Sequence, residues 1–328
     1  MLDTKPVSAK SIGDYFGVDG KLLEEQYRDH LSGFHSWEQF EHANDWILFP
    51  QNIGEFISID ETSLSQGELY TIVTNKEAKG KKGALIAMVK GTNSETVKNV
   101  LLKIGIKSRE KVKEITLDMA PTMERIAKLS FTKAKLVTDR FHVQKLAYEA
   151  VQQIRIECRW EAIDQENNEI QLAKEVNKKY IPDVLENGDT LKQLLARSRY
   201  LLFKRENKWT PSQNQRAAIL FERYPDIEKA YDLSMELGHI YHTSKVKGVA
   251  FTRLAKWYDK VEKSKFKSFN TIAKSIQEHY LTILNYFDNR STNASAESFN
   301  AKIKAFRSSF RGVRNVSFFL FRLANIYA

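Results

Sequence analysis

The chain has 328 residues, 42% apolar and 28% charged: enough for about two domains and a sizeable core, and too apolar for a disordered chain. Lys and Arg number 51 against 41 Asp and Glu, so the net charge is +10 and the chain suits a polyanionic partner. A lone cysteine, Cys158, excludes a disulfide scaffold or a cysteine-based zinc ribbon and fits a reducing cytoplasm; no apolar run nears the roughly 18–20 residues of a membrane span, and the first ten residues lack a signal peptide's apolar stretch.

Residues 1–54 carry a net charge of −5, which leaves +15 for residues 55–328. Within them, residues 7–27 read as two short helices about a turn at Gly17, with apolar Ile12, Phe16, Val18, Leu22 and Leu23. This is the cadence of a helix-turn-helix. Glu24 and Glu25 would meet phosphates unfavourably, so a docking surface is the competing reading. Trp37, Phe40, Trp46, Ile47, Leu48 and Phe49 then predict a segment packed on a neighbouring part of the fold.

From 55 to 139 the pattern turns to strands: EFISID (55–60), LYTIVTN (69–75), ALIAMV (84–89), KEITLD (113–118) and AKLVTD (134–139). Short links containing Gly67, Gly80 and Gly83 suit an antiparallel meander of the first three. Helices over 94–104 and 121–129 precede the last two strands. The expectation is α/β: a mixed five-stranded sheet in the ribonuclease-H-like order, with the first and fourth strands adjacent and parallel. From 140 to about 289 the pattern is helical, with one stripe from Val143 to Cys158 and another from Ile272 through Tyr280 to Phe287. A final helix is expected from about 294 to 310, capped at Gly312. Residues 301–328 hold six basic residues and no acid.

Two apolar, β-branched runs each end in a carboxylate: Asp60 closes FISID and Asp118 closes EITLD. At the ends of adjacent parallel strands they would face one crevice and repel unless a cation lay between them. The competing reading is two ordinary strand-end aspartates starting turns. Glu297 adds a third carboxylate, set among Ala294, Ser295, Ala296 and Ser298, with Asn300 and Lys304 on the same helical face and Lys302, Arg307, Arg311 and Arg314 beyond. A solvated charged helix is the alternative there. The other histidines (His30, His35, His42, His239, His242, His279) form no zinc pattern.

SIDETSL around Asp60, TLDMAPTM around Asp118, VTDRFHVQKLAYEAV, and TNASAESFNAKIKAFRSSFRG around Glu297 together resemble the catalytic region of DDE transposases of prokaryotic insertion sequences, in the group named ISL-three. The resemblance covers about residues 55–328. It implies that Asp60, Asp118 and Glu297 are a catalytic, metal-holding triad. It makes Asp139-Arg140-Phe141-His142 an Asp-x-x-His element, with Asp139 and His142 as accessory positions. His142 would bind DNA or orient a carboxylate; a hydrogen-bonded structural histidine is the alternative. The implied organisation is a small helical segment (1–54), the first part of the core (55–142), an all-helical insertion (143–289) and final catalytic and basic helices (290–328).

The implied reaction is DNA strand cleavage at element ends, then 3′-hydroxyl transfer into target DNA. Two Mg²⁺ ions, replaceable by Mn²⁺, are the implied cofactors. Arg140, Asn300, Lys302, Lys304, Arg307, Arg311 and Arg314 are the expected DNA contacts. The expected partners are double-stranded DNA and a second copy of the chain assembled on it, with no membrane; the expected location is cytoplasmic, on the nucleoid. Family members usually carry a zinc-binding helix-turn-helix region before the core. The 54 residues here are acidic and without cysteine, so the expectation is either a separately encoded DNA-recognition protein as a further partner or a truncated or autonomous variant. Two rival readings share these residues: a structure-specific nuclease of the same fold, and a non-enzymatic DNA-binding regulator derived from a transposase. Trp160, Trp209 and Trp257 are expected in core packing, or one of them stacked on an unpaired base.

Overall fold

The computed structural model describes residues 1–64, 67–310 and 313–328; Arg311 and the expected cap Gly312 lie outside the described residues. The chain divides into two compact units, Met1–Asp139 with Asn289–Ala328, and Arg140–Asp288.

The first unit opens with a helical hairpin, α1 (Ala9–Phe16) and α2 (Gly20–Gln26). Gly17 takes the left-handed conformation that ends α1, at φ +70°, where a side chain would be strained. Asp19 caps α2 by accepting from the Lys21 and Leu22 amides. Ile12 and Trp37 pack inward, whereas Phe16 and Leu22 are exposed.

The strands are β1 (Trp46–Leu48), β2 (Phe56–Ser63), β3 (Leu69–Asn75), β4 (Leu85–Lys90), β5 (Glu114–Leu117) and β6 (Lys135–Thr138). They form one sheet in the order β1-β4-β3-β2-β5-β6. The expected meander β2-β3-β4 is antiparallel, and β2-β5 and β5-β6 are parallel. The expected five strands are six. Trp46–Leu48, read as an aromatic packing segment, pairs antiparallel with Val89–Ala87 as an edge strand. Three residues are too few to display an alternation.

Between strands lie α3 (Ser94–Leu101), α4 (Ile106–Arg109) and α5 (Pro121–Ser130). Val97, Val100 and Leu101 of α3 and Met123, Ile126 and Ala127 of α5 cover one sheet face, against Ile57, Ile59, Ile86 and Ile115. The other face receives Phe299, Ile303, Phe306, Phe319, Leu320 and Leu323 from two C-terminal helices, numbered α13 and α14 below, against Tyr70, Ile72, Leu85 and Met88.

The second unit is helical: α6 (Arg140–Glu175), α7 (Leu191–Arg197), α8 (Pro211–Arg223), α9 (Pro225–Thr243), α10 (Lys247–Ser264), α11 (Lys267–Glu278) and α12 (Tyr280–Asn289), whose last residue belongs to the first unit. Val143, Ala147, Ala150, Val151 and Ile154 of α6 are buried. The stripe read across 272–287 is two helices that break at His279, which leaves Tyr280 exposed. Trp257 is fully buried and donates to the Leu233 carbonyl at 2.8 Å; Trp209 donates to the Leu201 carbonyl at 2.8 Å. Trp160 is 60% exposed, so core packing does not account for it. Buried Asp189 accepts from Arg197 and Arg216 and locks the turn before α7. The chain then returns to the first unit as α13 (Ala294–Ser309) and α14 (Val316–Tyr327).

Candidate active site

Three parallel strands deliver carboxylates at one end of the sheet. Asp118 directly follows β5 and Asp139 directly follows β6. Asp60 was expected to close its strand, but β2 runs on to Ser63 because β3 keeps pairing with it, Asp60 facing Ile72 and Ser63 facing Leu69. The parallel ladder with β5 stops earlier, at Ser58 and Thr116. Asp60 therefore lies two residues past the last β5 pairing. Continuing the registers Ser58–Thr116 and Leu117–Thr138 brings Asp60, Asp118 and Asp139 level across three strands. Residues level on neighbouring strands share a face.

The Asp60 and Asp118 carboxylates are held by local backbone. The Glu61 amide donates to Asp60 Oδ1 at 2.8 Å, and the Ala120 amide to Asp118 Oδ1 at 2.9 Å, just ahead of the Pro121 that starts α5. Asp139 is fully buried, and its amide donates to the Leu117 carbonyl at 2.9 Å.

Helix α13 supplies the remaining groups. Glu297 lies exposed in its first turn, its amide donating to the Asn293 carbonyl at 2.8 Å. Its carboxylate oxygen and one of Asp139 lie within 4.8 Å of each other. Asp60, Asp118 and Glu297 are not drawn as a set within that distance. Asn300, one turn on and buried, donates from Nδ2 to Asp60 Oδ2 at 2.7 Å. Asn300 Oδ1 and both amide atoms of buried Asn293 have no hydrogen-bond partner among the described residues. Oxygen donors of this kind, carboxylates with nearby amide oxygens, fit a hard divalent cation.

Sequence reasoning missed two groups here. Glu61 sits beside the row, and burial, then the charges of Asp118 and Asp60, push its carboxyl above the usual range. Lys76 reaches in from the end of β3, and its Nζ donates to Thr116 Oγ1 at 2.7 Å. Burial lowers the lysine's pKa, while Glu114 and Asp139 pull it back up. Asn289 donates to Glu114 Oε2 at 3.1 Å. Only the strand register, which one local stretch does not display, places Lys76 and Glu114 beneath this row.

The expected DNA contacts are differently employed. Lys302 Nζ donates to the Gly80 carbonyl at 2.7 Å, and Arg307 Nη1 to the Ser63 carbonyl at 2.8 Å. Lys304 and Arg314 are exposed. In the second unit, Arg140 donates to Tyr286 Oη at 3.3 Å, and His142 lies half-buried in the first turn of α6.

With this geometry in view, comparison with known proteins gives two findings. Residues 57–323 match the model of the ISL3 group of DDE transposases, described as "Transposase". The chain is also 22% identical over 273 residues to the transposase for insertion sequence element IS1001 of Bordetella parapertussis, across 82% of this chain. It spans 60% of that relative's length. The family match covers most of both units and all the carboxylates described above, and on that ground the chain belongs to the ISL3-type DDE transposase family.

Proposed function

We propose that this chain cleaves DNA strands at the ends of an insertion sequence and joins the freed 3′-hydroxyl to target DNA, on a ribonuclease-H-like sheet. One observation carries the reading: continuing the registers brings Asp60, inside β2, level with Asp118 and Asp139 at the ends of the parallel strands β5 and β6, and α13 brings a Glu297 oxygen within 4.8 Å of one of Asp139. The order β4-β3-β2-β5-β6, antiparallel then parallel, supports the fold assignment. Asp60, Asp118 and Glu297 would hold Mg²⁺ or Mn²⁺, two ions in all, with Asp139 and His142 accessory. Such ions, when bound, activate the attacking oxygen and stabilise the leaving one.

The chain's own groups do the rest. Asn300 and the Glu61 amide fix the orientation of Asp60. Lys76 offsets part of the negative charge behind Asp139. Exposed Lys304 and Arg314 would take backbone phosphates without reading sequence. The partners in this reading are double-stranded DNA, a second copy of the chain and a DNA-recognition subunit. Exposed Phe16 and Leu22 on the acidic hairpin offer a protein partner an apolar contact.

The test is nicking of supercoiled plasmid, and joining of a 3′-hydroxyl oligonucleotide to it, in Mg²⁺. Asp60→Asn, Asp118→Asn and Glu297→Gln should each abolish both and leave DNA affinity within about twofold, since each removes a ligand charge at constant size. Near-normal nicking by any one would remove that residue from the set. Nicking that never leads to joining would make the chain a nuclease.

A further inference from the structure

Arg155 of α6 lies inside the helical unit at 5% exposure. Its Nε donates to Gln152 Oε1 and its Nη1 to the Leu195 carbonyl of α7, each at 2.7 Å. Its Nη2 has no hydrogen bond to a described residue, yet it is not sealed from solvent. Arg159 follows one turn later on the same face of α6, half-buried. Arg199 stands just beyond α7 and is exposed. Gln152, which holds Arg155, also donates through Nε2 to the Arg199 carbonyl at 3.2 Å. Three guanidinium groups therefore gather where α6 passes the end of α7.

No carboxylate offsets them. Among the described residues none of the three forms an ion pair, and Arg159 donates no side-chain hydrogen bond. The positions one turn away on the same face carry no acid: Val151, Gln152 and Cys158 about Arg155, and Ile156, Ala162 and Ile163 about Arg159. Burial lowers the pKa of Arg155, and the charges of Arg159 and Arg199 push it the same way. The carbonyls at the end of α7 suit one cation and account for the place of Arg155. They do not account for two more beside it, because a buried charge without a counter-charge is costly to a fold. A bound anion removes that cost. Guanidinium forks match the paired oxygens of a tetrahedral oxyanion, and three of them exceed what one carboxylate can satisfy.

We infer that Arg155, Arg159 and Arg199 together hold one phosphate group, supplied by the backbone of a DNA strand or by free phosphate ion. Arg155 is the anchored member, set in place by Gln152 and α7, and Arg159 and Arg199 complete the shell from the solvent side. The site lies wholly in the helical unit and uses none of the carboxylates of the sheet. Its DNA form rests on the DNA-processing reading; its free-phosphate form does not.

The test melts the full chain in millimolar inorganic phosphate and in sodium chloride of equal ionic strength. The wild type should melt about 3 °C higher in phosphate. Arg159→Gln and Arg199→Gln, both at solvent-reaching positions, should each lose at least half of that gain. In chloride neither should melt below the wild type, since each removes a like charge beside Arg155. No gain in the wild type, or a full gain in both variants, would overturn the site while the transposase reading stands. Variants that melt lower in chloride would make these arginines structural and also overturn it. The salt dependence of binding to a short duplex then separates the two sources. With the melting gain lost, a slope of log K against log salt reduced by up to about 0.9 in each variant assigns the phosphate to the DNA backbone. An unchanged slope assigns it to free phosphate. A chain that gains from phosphate but binds no DNA keeps the site and sinks the DNA-processing reading.

Discussion

Asp60 accepts a hydrogen bond at each carboxylate oxygen, one from its neighbour's backbone and one from Asn300, a residue 240 positions away. A polar group that orients a metal-binding carboxylate typically costs 10–100-fold in metal affinity or activity when removed. Asn300→Ala should therefore slow nicking about that much and raise the Mg²⁺ concentration needed for half-maximal rate, with DNA affinity unchanged. A loss of affinity with normal nicking at saturating DNA would return Asn300 to the DNA contacts. Glu61 gives a second residue-scale test. Its raised pKa means that its charged form is the costly one in the fold. The stability it contributes is present below the unfolded value of about 4.3 and is lost as pH rises through the raised folded value. In EDTA at pH 7, Glu61→Gln should melt above the wild type, and the gap should close as pH falls toward 4. The gain is modest because water reaches the carboxylate and screens it. A gap independent of pH would assign the effect to packing instead.

At the scale of elements, α13 carries cations with two different employments. Lys302 and Arg307 are hydrogen-bonded to the carbonyls of Gly80 and Ser63, and so bind the helix to the connection between β3 and β4 and to the end of β2. Lys304, and Arg314 beyond the helix, are exposed. Replacing Lys304 and Arg314 by Ala should lower DNA affinity alike on all sequences and reduce the slope of log K against log salt by about 0.9 for each phosphate no longer neutralised. Arg307→Ala should instead lower the melting temperature, and a slope change without destabilisation would contradict that division. The same contrast marks what a sequence reader can see. The basic run is plain in the chain, but which cations are spent on backbone carbonyls depends on where β2 and β3 pass. Strands β2, β3 and β4 are legible because each is a run of six or more residues rich in apolar and β-branched side chains; β1 is not, at three residues inside an aromatic run. The strand-end positions of Asp118 and Asp139 follow from apolar runs that stop at a carboxylate. Asp60 was misplaced by three residues because pairing with β3 outlasts pairing with β5. Glu61 and Lys76 carry no local signal and take their meaning from strand register alone.

At the scale of the molecule, the acidic N-terminal segment is built into the first unit. Leu2, Ala9, Tyr27 and Phe34 share a core with Phe318 and Phe321 of α14, whose opposite side packs on the sheet through Leu320 and Leu323. Arg322 is the pin of this arrangement. It counts among the six basic residues of the C-terminal stretch, yet it is 1% exposed. Its Nη2 donates to the carbonyls of Lys5 and Val7 at 3.2 and 3.0 Å, and its guanidinium lies 5.3–6.0 Å from the ring centroids of Tyr27, Phe306 and Phe310. Burial lowers its pKa, which is the mark of a cation placed for structure. Arg322→Ala removes charged hydrogen bonds worth about 1.5–3 kcal/mol and the packing of a long side chain against three rings. At about 2–4 °C per kcal/mol for a unit of this size, the melting temperature should fall by several degrees. Residues 1–36, released from α14, should become the first site of proteolysis. The salt slope of DNA binding should stay at its wild-type value, since a buried guanidinium neutralises no phosphate. A reduced slope with unchanged melting would mean that Arg322 reaches DNA and that the acidic segment is held by other contacts.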